Sequence, residues 1–144
     1  RHSNLYGPHD KYDLEKSHVT GATITKVMTS KDGTVNVWGT GEEARDLLYI
    51  EDFISFVEAA LDKQESNYEL YNVGLGEAIK TKHLVSKVIE CSGRDLQIKH
   101  DLTKPTVPTS LFLDCSKAKR DLGWAPKYSL EQGLLKTLEW YRNE

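Results

Sequence analysis

The sequence predicts a small α/β domain in which short strands and short helices alternate. Three observations carry this expectation. Apolar residues recur three and four positions apart in several separate stretches, which is the spacing of one helical face. Between those stretches stand short runs rich in valine, leucine, isoleucine and tyrosine, which favour strand. Glycine, proline, serine or aspartate marks most of the boundaries. Alternation of the two patterns argues for a mixed fold rather than an all-helical or all-strand one.

Taken in order, Leu5-Tyr6 closes a short strand that Gly7-Pro8 stops, and residues 9–16 form a polar loop. Ser17 is positioned to cap a helix running to about Ser30, with Val19, Ile24 and Val27 among its apolar positions. Lys31-Asp32-Gly33 is a turn, and Val35 to Trp38 is a strand. Gly39 to Glu43 is a loop before a strand from Asp46 to Ile50. Asp52 is expected to cap a helix whose face is Phe53, Phe56, Val57, Ala60 and Leu61. Glu69 to Val73 reads as strand. A helix capped by Thr81 follows, with Leu84, Val85, Val88 and Ile89 on one side and Gly93 at its end. Leu96–Lys99 and Leu111–Asp114 are expected strands, separated by a loop containing Pro105 and Pro108. Ser116 starts a short helix that Gly123 ends, and Ser129 starts a last one with Leu130, Leu134, Leu138 and Tyr141 on its stripe.

A chain of 144 residues fits one domain, spanning residues 1–144. With 38% hydrophobic and 28% charged residues it can bury a core and is not of disordered composition. The formal net charge of −3 implies no nucleic-acid partner, and the apolar runs are too short to span a bilayer. Cys91 and Cys115 form no C-x-x-C pair and the histidines are scattered, so no structural zinc site is expected. Two free thiols suit a reducing, cytoplasmic setting, although they also permit a single disulfide. The first residues have no apolar signal region and no starting Met, which is compatible with a fragment.

Several residues could carry chemistry. Gly74-x-Gly76 follows an expected strand and precedes a helix, but Ile79 occupies the place of a third glycine, so an ordinary turn is the better reading. Trp38 and Arg45 flank the Gly39-Thr40-Gly41 loop. An aromatic plane and a guanidinium at one pocket mouth suit a nucleoside diphosphate, because Arg pairs bidentately with phosphate. Spacing alone gives more weight to the ordinary alternative, a packed Trp38 and an Arg45 paired to Asp46 or Glu51. His18 opens a helix and could donate a proton, its unperturbed pKa being about 6.5. A solvated or capping His18 is the ordinary alternative. Asn4 is equally open at this point.

The strings of residues go further. Arg1-His2-Ser3-Asn4-Leu5-Tyr6-Gly7-Pro8 resembles the R-x-x-N-x-Y-G-P string of the extended short-chain dehydrogenase/reductases that act on nucleotide sugars. Val37-Trp38-Gly39-Thr40-Gly41-x-x-x-Arg45-Asp46-x-x-Tyr49-x-x-Asp52 is similar to a second string of that family. Tyr71-Asn72-Val73-Gly74, Lys104-Pro105, Asp114-x-Ser116-Lys117-Ala118, Leu122-Gly123-Trp124-x-Pro126 and Ser129-Leu130-Glu131 follow in the family's order. Within the family, Ser17-His18-Val19 after Tyr6-Gly7-Pro8-His9-Asp10 is most similar to the GDP-fucose synthase branch of epimerase/reductases.

This resemblance implies that the chain is the carboxy-terminal, substrate-binding lobe of such an enzyme. The Rossmann lobe, with its G-x-x-G-x-x-G and Tyr-x-x-x-Lys, is missing from it. It implies His18 as the acid of an epimerisation, and Asn4, Val19, Trp38 and Arg45 as contacts to a nucleotide-diphosphate sugar. Asp52 and Tyr49 are expected to be structural, a helix cap and a core residue. NAD or NADP would serve the complete enzyme and no cofactor is expected in this chain. The partners implied are a nucleotide-diphosphate sugar and a separate or missing Rossmann lobe, and a homo-oligomer is compatible with them. The basic residue that the branch carries before its late strand is replaced by Ser110 or Leu111, which leaves UDP- and dTDP-sugars open. The rival class is a stand-alone binding or interaction module without redox chemistry. If the lobe reading holds, the purified chain neither binds NAD(P)H in micromolar calorimetry nor turns over any GDP-, UDP- or dTDP-sugar. Saturable cofactor binding contradicts it.

Overall fold

A computed structural model of the chain describes every residue except Pro105, Val107 and Pro108. The fold is mixed α/β. Strand β1 (Asn4–Tyr6) leads to helix α1 (Val19–Thr29), then β2 (Thr34–Trp38), β3 (Ala44–Arg45), β4 (Leu47–Tyr49) and α2 (Ile50–Lys63). The second half comprises β5 (Ile79–Lys80), α3 (Thr81–Ser92), β6 (Gln97–Asp101), α4 (Ser116–Leu122) and α5 (Leu130–Asn143). The strands pair in twos. β1 runs parallel to β4, β2 parallel to β6, and β3 antiparallel to β5.

All three residues of β4 are buried, and successive side chains of a strand point to opposite faces. Leu47 and Tyr49 therefore enter one apolar cluster with Ile24, Val27, Val35, Val37, Leu84, Val88, Leu134 and Leu138. Leu48 enters a second, with Tyr71, Val73, Ala118, Leu122 and Trp124. A strand covered on both faces is apolar throughout rather than alternating, as this one is.

The polar groups inside are matched to backbone. Asp46 is buried, and its carboxylate accepts Leu75 N–H at 2.7 Å, Gly76 N–H at 3.2 Å and Leu113 N–H at 3.0 Å. A Cβ on Gly74 would collide with that carboxylate. The Gly74-x-Gly76 turn is thus wrapped around a side chain, as an ordinary turn. Asp52 is also buried and accepts Lys127 N–H at 2.8 Å and Tyr128 N–H at 3.2 Å.

Several expectations need correction. Asp52 does not cap α2; Tyr49 holds the N-cap position, and Asp52 lies in the first turn with its carboxylate turned to the 127–128 backbone. Tyr49 is a core residue, as expected. Ser17 does not cap α1; His18 stands at the cap and makes no side-chain capping bond. Lys80, not Thr81, is the cap of α3. The strand expected from Asp46 to Ile50 is shorter, β4 (Leu47–Tyr49): Ile50 already begins α2, and Asp46, whose carboxylate accepts three N–H groups, stands between β3 and β4. Residues 69–73 and 111–114 form no named strands. Val73 makes one isolated bridge with His2, and a second bridge, Ala44 with Ser110, falls one residue before the 111–114 segment. The expected α2 stripe is split. Phe53, Phe56 and Ala60 pack on the second cluster, whereas Leu61 is 83% exposed. The loop positions Pro105 and Pro108 lie outside the described residues. Cys91 and Cys115 are free thiols, each with its pKa raised by burial.

Removing the Asp46 carboxylate leaves the half-buried Leu75 and Leu113 N–H groups and the exposed Gly76 N–H without their acceptor, and a buried orphan costs about 1–3 kcal/mol. Asp46→Ala is therefore expected to lower unfolding free energy by about 2 kcal/mol or more in urea titration followed by circular dichroism. Asp62→Ala, on an exposed position of α2, should change it by less than about 0.5 kcal/mol. Equal effects of the two would contradict the role given to Asp46.

Candidate functional site

A cleft of about 540 Å³ lies between α1, β2 and the start of α3. Its size falls in the range of small-molecule sites. Val19, Ala22, Thr23 and Lys26 face it from α1, at offsets of i, i+3, i+4 and i+7 on one helical side. Val35 and Val37 of β2 and Val85 of α3 form an apolar floor. Leu14, Glu15 and Ser17 border it from the loop before α1, and Glu43 and Thr81 from the opposite side.

Trp38 stands on the rim with 56% of its surface exposed. The cause is the pleat of β2, which turns Val35 and Val37 inward and leaves Asn36 and Trp38 outward. Two ammonium groups approach the indole, Lys26 Nζ at 5.8 Å and Lys104 Nζ at 5.6 Å from the ring centroid. Lys26 Nζ also donates to Asn36 O at 3.2 Å. Burial pulls the Lys26 pKa below the ordinary lysine value. No carboxylate lies within ion-pair distance of either lysine among the described residues. A partly desolvated ammonium without a counterion favours an anion placed beside it.

Of the residues singled out in the sequence, Val19 and Trp38 line this one cleft. His18 is exposed at the N-cap of α1, between Ser17 and Val19, which both border it. Asn4 and Arg45 do not line it. Asn4 Nδ2 donates to Asp46 O at 3.1 Å, which fixes Asn4 at the β1–β4 junction. Arg45 Nη1 donates to Ala44 O at 3.2 Å and to Thr109 Oγ1.

Arg45 pairs with neither Asp46 nor Glu51. Asp46 is committed to backbone, and Glu51 bonds Tyr128 and Tyr49 and lies 3.5 Å from Lys136. The guanidinium charge has no carboxylate partner among the described residues. Sequence reasoning missed Lys26 and Lys104. Lys26 was legible as a lone basic position on the inward stripe of α1, four residues beyond Ala22. Lys104 owes its position to the pairing of β2 with β6, which the sequence does not announce. Ser17 Oγ is buried without a hydrogen-bond partner, at the wall of the cleft.

Gly39 and Gly41 both take positive φ, 64° and 70°, so the loop between Trp38 and Arg45 turns tightly. Glu43 in that loop lines the cleft, and its carbonyl accepts Thr81 N–H at 2.9 Å. Among the described residues, no group of three or more His, Cys, Asp or Glu side chains is placed to hold a metal ion, and no helix is long and apolar enough to cross a membrane.

Known proteins agree with this architecture. The chain is 37% identical over 142 residues to GDP-L-fucose synthase 1 of Arabidopsis thaliana, a match over 96% of this chain and 43% of the relative. It is 39% identical over 143 residues to GDP-L-fucose synthase of Sinorhizobium fredii, covering 95% and 44%. Among solved structures, a UDP-glucose 4-epimerase of Thermotoga maritima with UDP-glucose superposes with a TM-score of 0.85 at 30% identity, over 99% of this chain and 45% of that one. The chain thus spans less than half the length of these relatives. The sequence profile of the NAD dependent epimerase/dehydratase family matches residues 1–74, half of the chain, and the chain belongs to that family.

Proposed function

We propose that the chain is the substrate-binding portion of a nucleotide-sugar epimerase/reductase of the GDP-fucose synthase kind. The observation that carries this reading is an exposed indole at the mouth of a 540 Å³ cleft, with two unpaired ammonium groups beside it. An aromatic plane offers a stacking surface to a base, and cations offer partners to phosphate. The names of the relatives, GDP-L-fucose synthases and a UDP-glucose 4-epimerase, support a nucleoside diphosphate sugar as the ligand.

In this reading the base packs on Trp38 and the apolar wall, Val19 included. Lys26 neutralises a phosphate. The diphosphate then extends past Glu43 to Arg45, whose guanidinium can exchange the Thr109 hydroxyl for a phosphate oxygen. Asn4 hydrogen-bonds the diphosphate or sugar beyond it. His18, exposed at the α1 cap, is the proton donor to the sugar.

A dinucleotide does not fit the residues present. The Gly74-x-Gly76 turn, between a strand-like segment and a helix, encloses the Asp46 carboxylate, and a second anion there would meet that charge. Hydride chemistry accordingly belongs to NAD or NADP held on a Rossmann lobe, and no step of it is assigned to this chain. Ile54, Val57 and Leu61 of α2, exposed by 50%, 39% and 83%, supply an apolar face for such a lobe.

Calorimetry with GDP, UDP and dTDP tests the reading. Weak binding is expected, around millimolar, because the site lacks its other wall. Lys26→Ala and Arg45→Ala should each weaken it by about tenfold or more, the worth of one charge-assisted hydrogen bond. Asp62→Ala should leave it unchanged. Affinity should also fall as pH rises into the lysine range, because the anion binds protonated Lys26 and the folded pKa of that group is already lowered. No binding by the folded chain, or binding indifferent to Lys26, Arg45 and Trp38, removes the proposal.

A further inference from the structure

We propose that Lys104 is a second ligand-binding cation of this cleft, one that exchanges the Trp38 ring for a phosphate when a base stacks on the indole. The inference rests on the nucleoside diphosphate reading above and gives a role to a residue that the Lys104-Pro105 string contains without assigning one and that does not line the cleft.

The fold delivers Lys104 to this place. In the parallel β2–β6 ladder Trp38 stands opposite Asp101. Asp101 O accepts Gly39 N–H at 2.8 Å, and the His100 ring Nδ1 lies 2.9 Å from Gly39 O. Beyond Asp101 the chain turns. Asp101 Oδ1 accepts Thr103 N–H at 3.1 Å, and Asp101 O accepts Lys104 N–H at 3.4 Å. The residue after Trp38 is thus tied to the start of the turn that ends in Lys104, and its ammonium is brought to 5.6 Å from the indole centroid.

Lys26 and Lys104 carry like charges within 6 Å of the same ring, and neither has a carboxylate within ion-pair distance among the described residues. An exposed cation–π contact is weak. A base stacking on Trp38 and an ammonium over it compete for ring surface. A phosphate attached to that base supplies the displaced ammonium with a stronger partner at the same moment. Lysine suits the exchange, having a compact charge on a flexible stem rather than a planar fork. Lys104 consequently favours phosphorylated ligands over bare nucleosides, a selection the apolar floor cannot make.

The test compares the 144-residue chain with Lys104→Gln and Lys104→Arg. Each is titrated with GDP and UDP and with guanosine and uridine, by calorimetry at two salt concentrations. Lys104 is exposed, so the variants should keep the wild-type circular dichroism spectrum. Lys104→Gln is expected to bind the diphosphates about tenfold more weakly and with a flatter salt dependence, while nucleoside affinity holds or rises. Lys104→Arg should retain diphosphate binding. Wild-type diphosphate affinity in Lys104→Gln overturns the inference and leaves the nucleotide reading standing. A wild-type chain that binds no nucleoside diphosphate overturns both.

Discussion

Asp46 gathers backbone from three distant places through its carboxylate and its own carbonyl. It accepts N–H groups of Leu75, Gly76 and Leu113, while its own carbonyl accepts both the Asn4 N–H and the Asn4 side-chain amide. One buried residue therefore joins β1, β4, the turn before β5 and the segment leading to α4. A carboxylate out of water is tolerable only with such donors, and donors so placed are tolerable only with an acceptor. The constraint runs both ways, and it explains local features. Position 74 must be glycine because any Cβ would enter the carboxylate. Asp46 stands between β3 and β4, and Arg45 before it donates to Thr109 Oγ1.

Similar polar ties hold the helices around the two apolar clusters. Asp52 fastens the 127–128 backbone to α2, and so sets where α5 begins. Arg94 donates to the carbonyls of Val27, Met28 and Ser30, satisfying the C-terminal end of α1. Lys63 does the same for α4 at Leu122 O, and Arg142 for α3 at Ser92 O. These contacts matter to the site because α1 and α3 are two of its walls. With α1 pinned at its C-terminal end, Lys26 has a fixed starting point near β2, and Trp38 on the outward side of that strand lies within reach.

Helices with strong one-sided patterns were legible. The stripe of α5 and its Ser129–Gln132 capping box, and the Gly93 and Gly123 ends of α3 and α4, follow from local rules that tertiary contacts do not override. Of the expected caps at Ser17, Asp52 and Thr81, Asp52 failed because its carboxylate is taken by a backbone 75 residues away in sequence. Ser17 and Thr81 failed because α1 and α3 begin one residue away from where the sequence suggests, with His18 and Lys80 at the caps. Residues 69–73 have strand composition but only a single bridge, since Tyr71 and Val73 are held by burial more than by pairing. For the site, Trp38 and Val19 were legible through motif order. Lys26 could be read from the α1 stripe, whereas Lys104 became apparent only once β2 had a partner. Asn4 and Arg45 stand apart from the Trp38 cleft, Asn4 held by Asp46 O and Arg45 by Ala44 O and Thr109.

The functional account thus describes an elongated site, with a stacking end at Trp38 and a guanidinium end at Arg45, joined by the Gly39–Gly41 turn and Glu43. A sugar nucleotide has that shape and that distribution of charge, with an aromatic base, a dianionic link and a polar sugar in sequence. A crystal structure of the chain soaked with a nucleoside diphosphate is the most direct measurement of the claim. The account predicts a base against the Trp38 indole, phosphate oxygens within hydrogen-bonding distance of Lys26 Nζ, and the Arg45 guanidinium turned from Thr109 toward the terminal phosphate. A nucleotide bound elsewhere, with the Trp38 cleft unchanged, would contradict it.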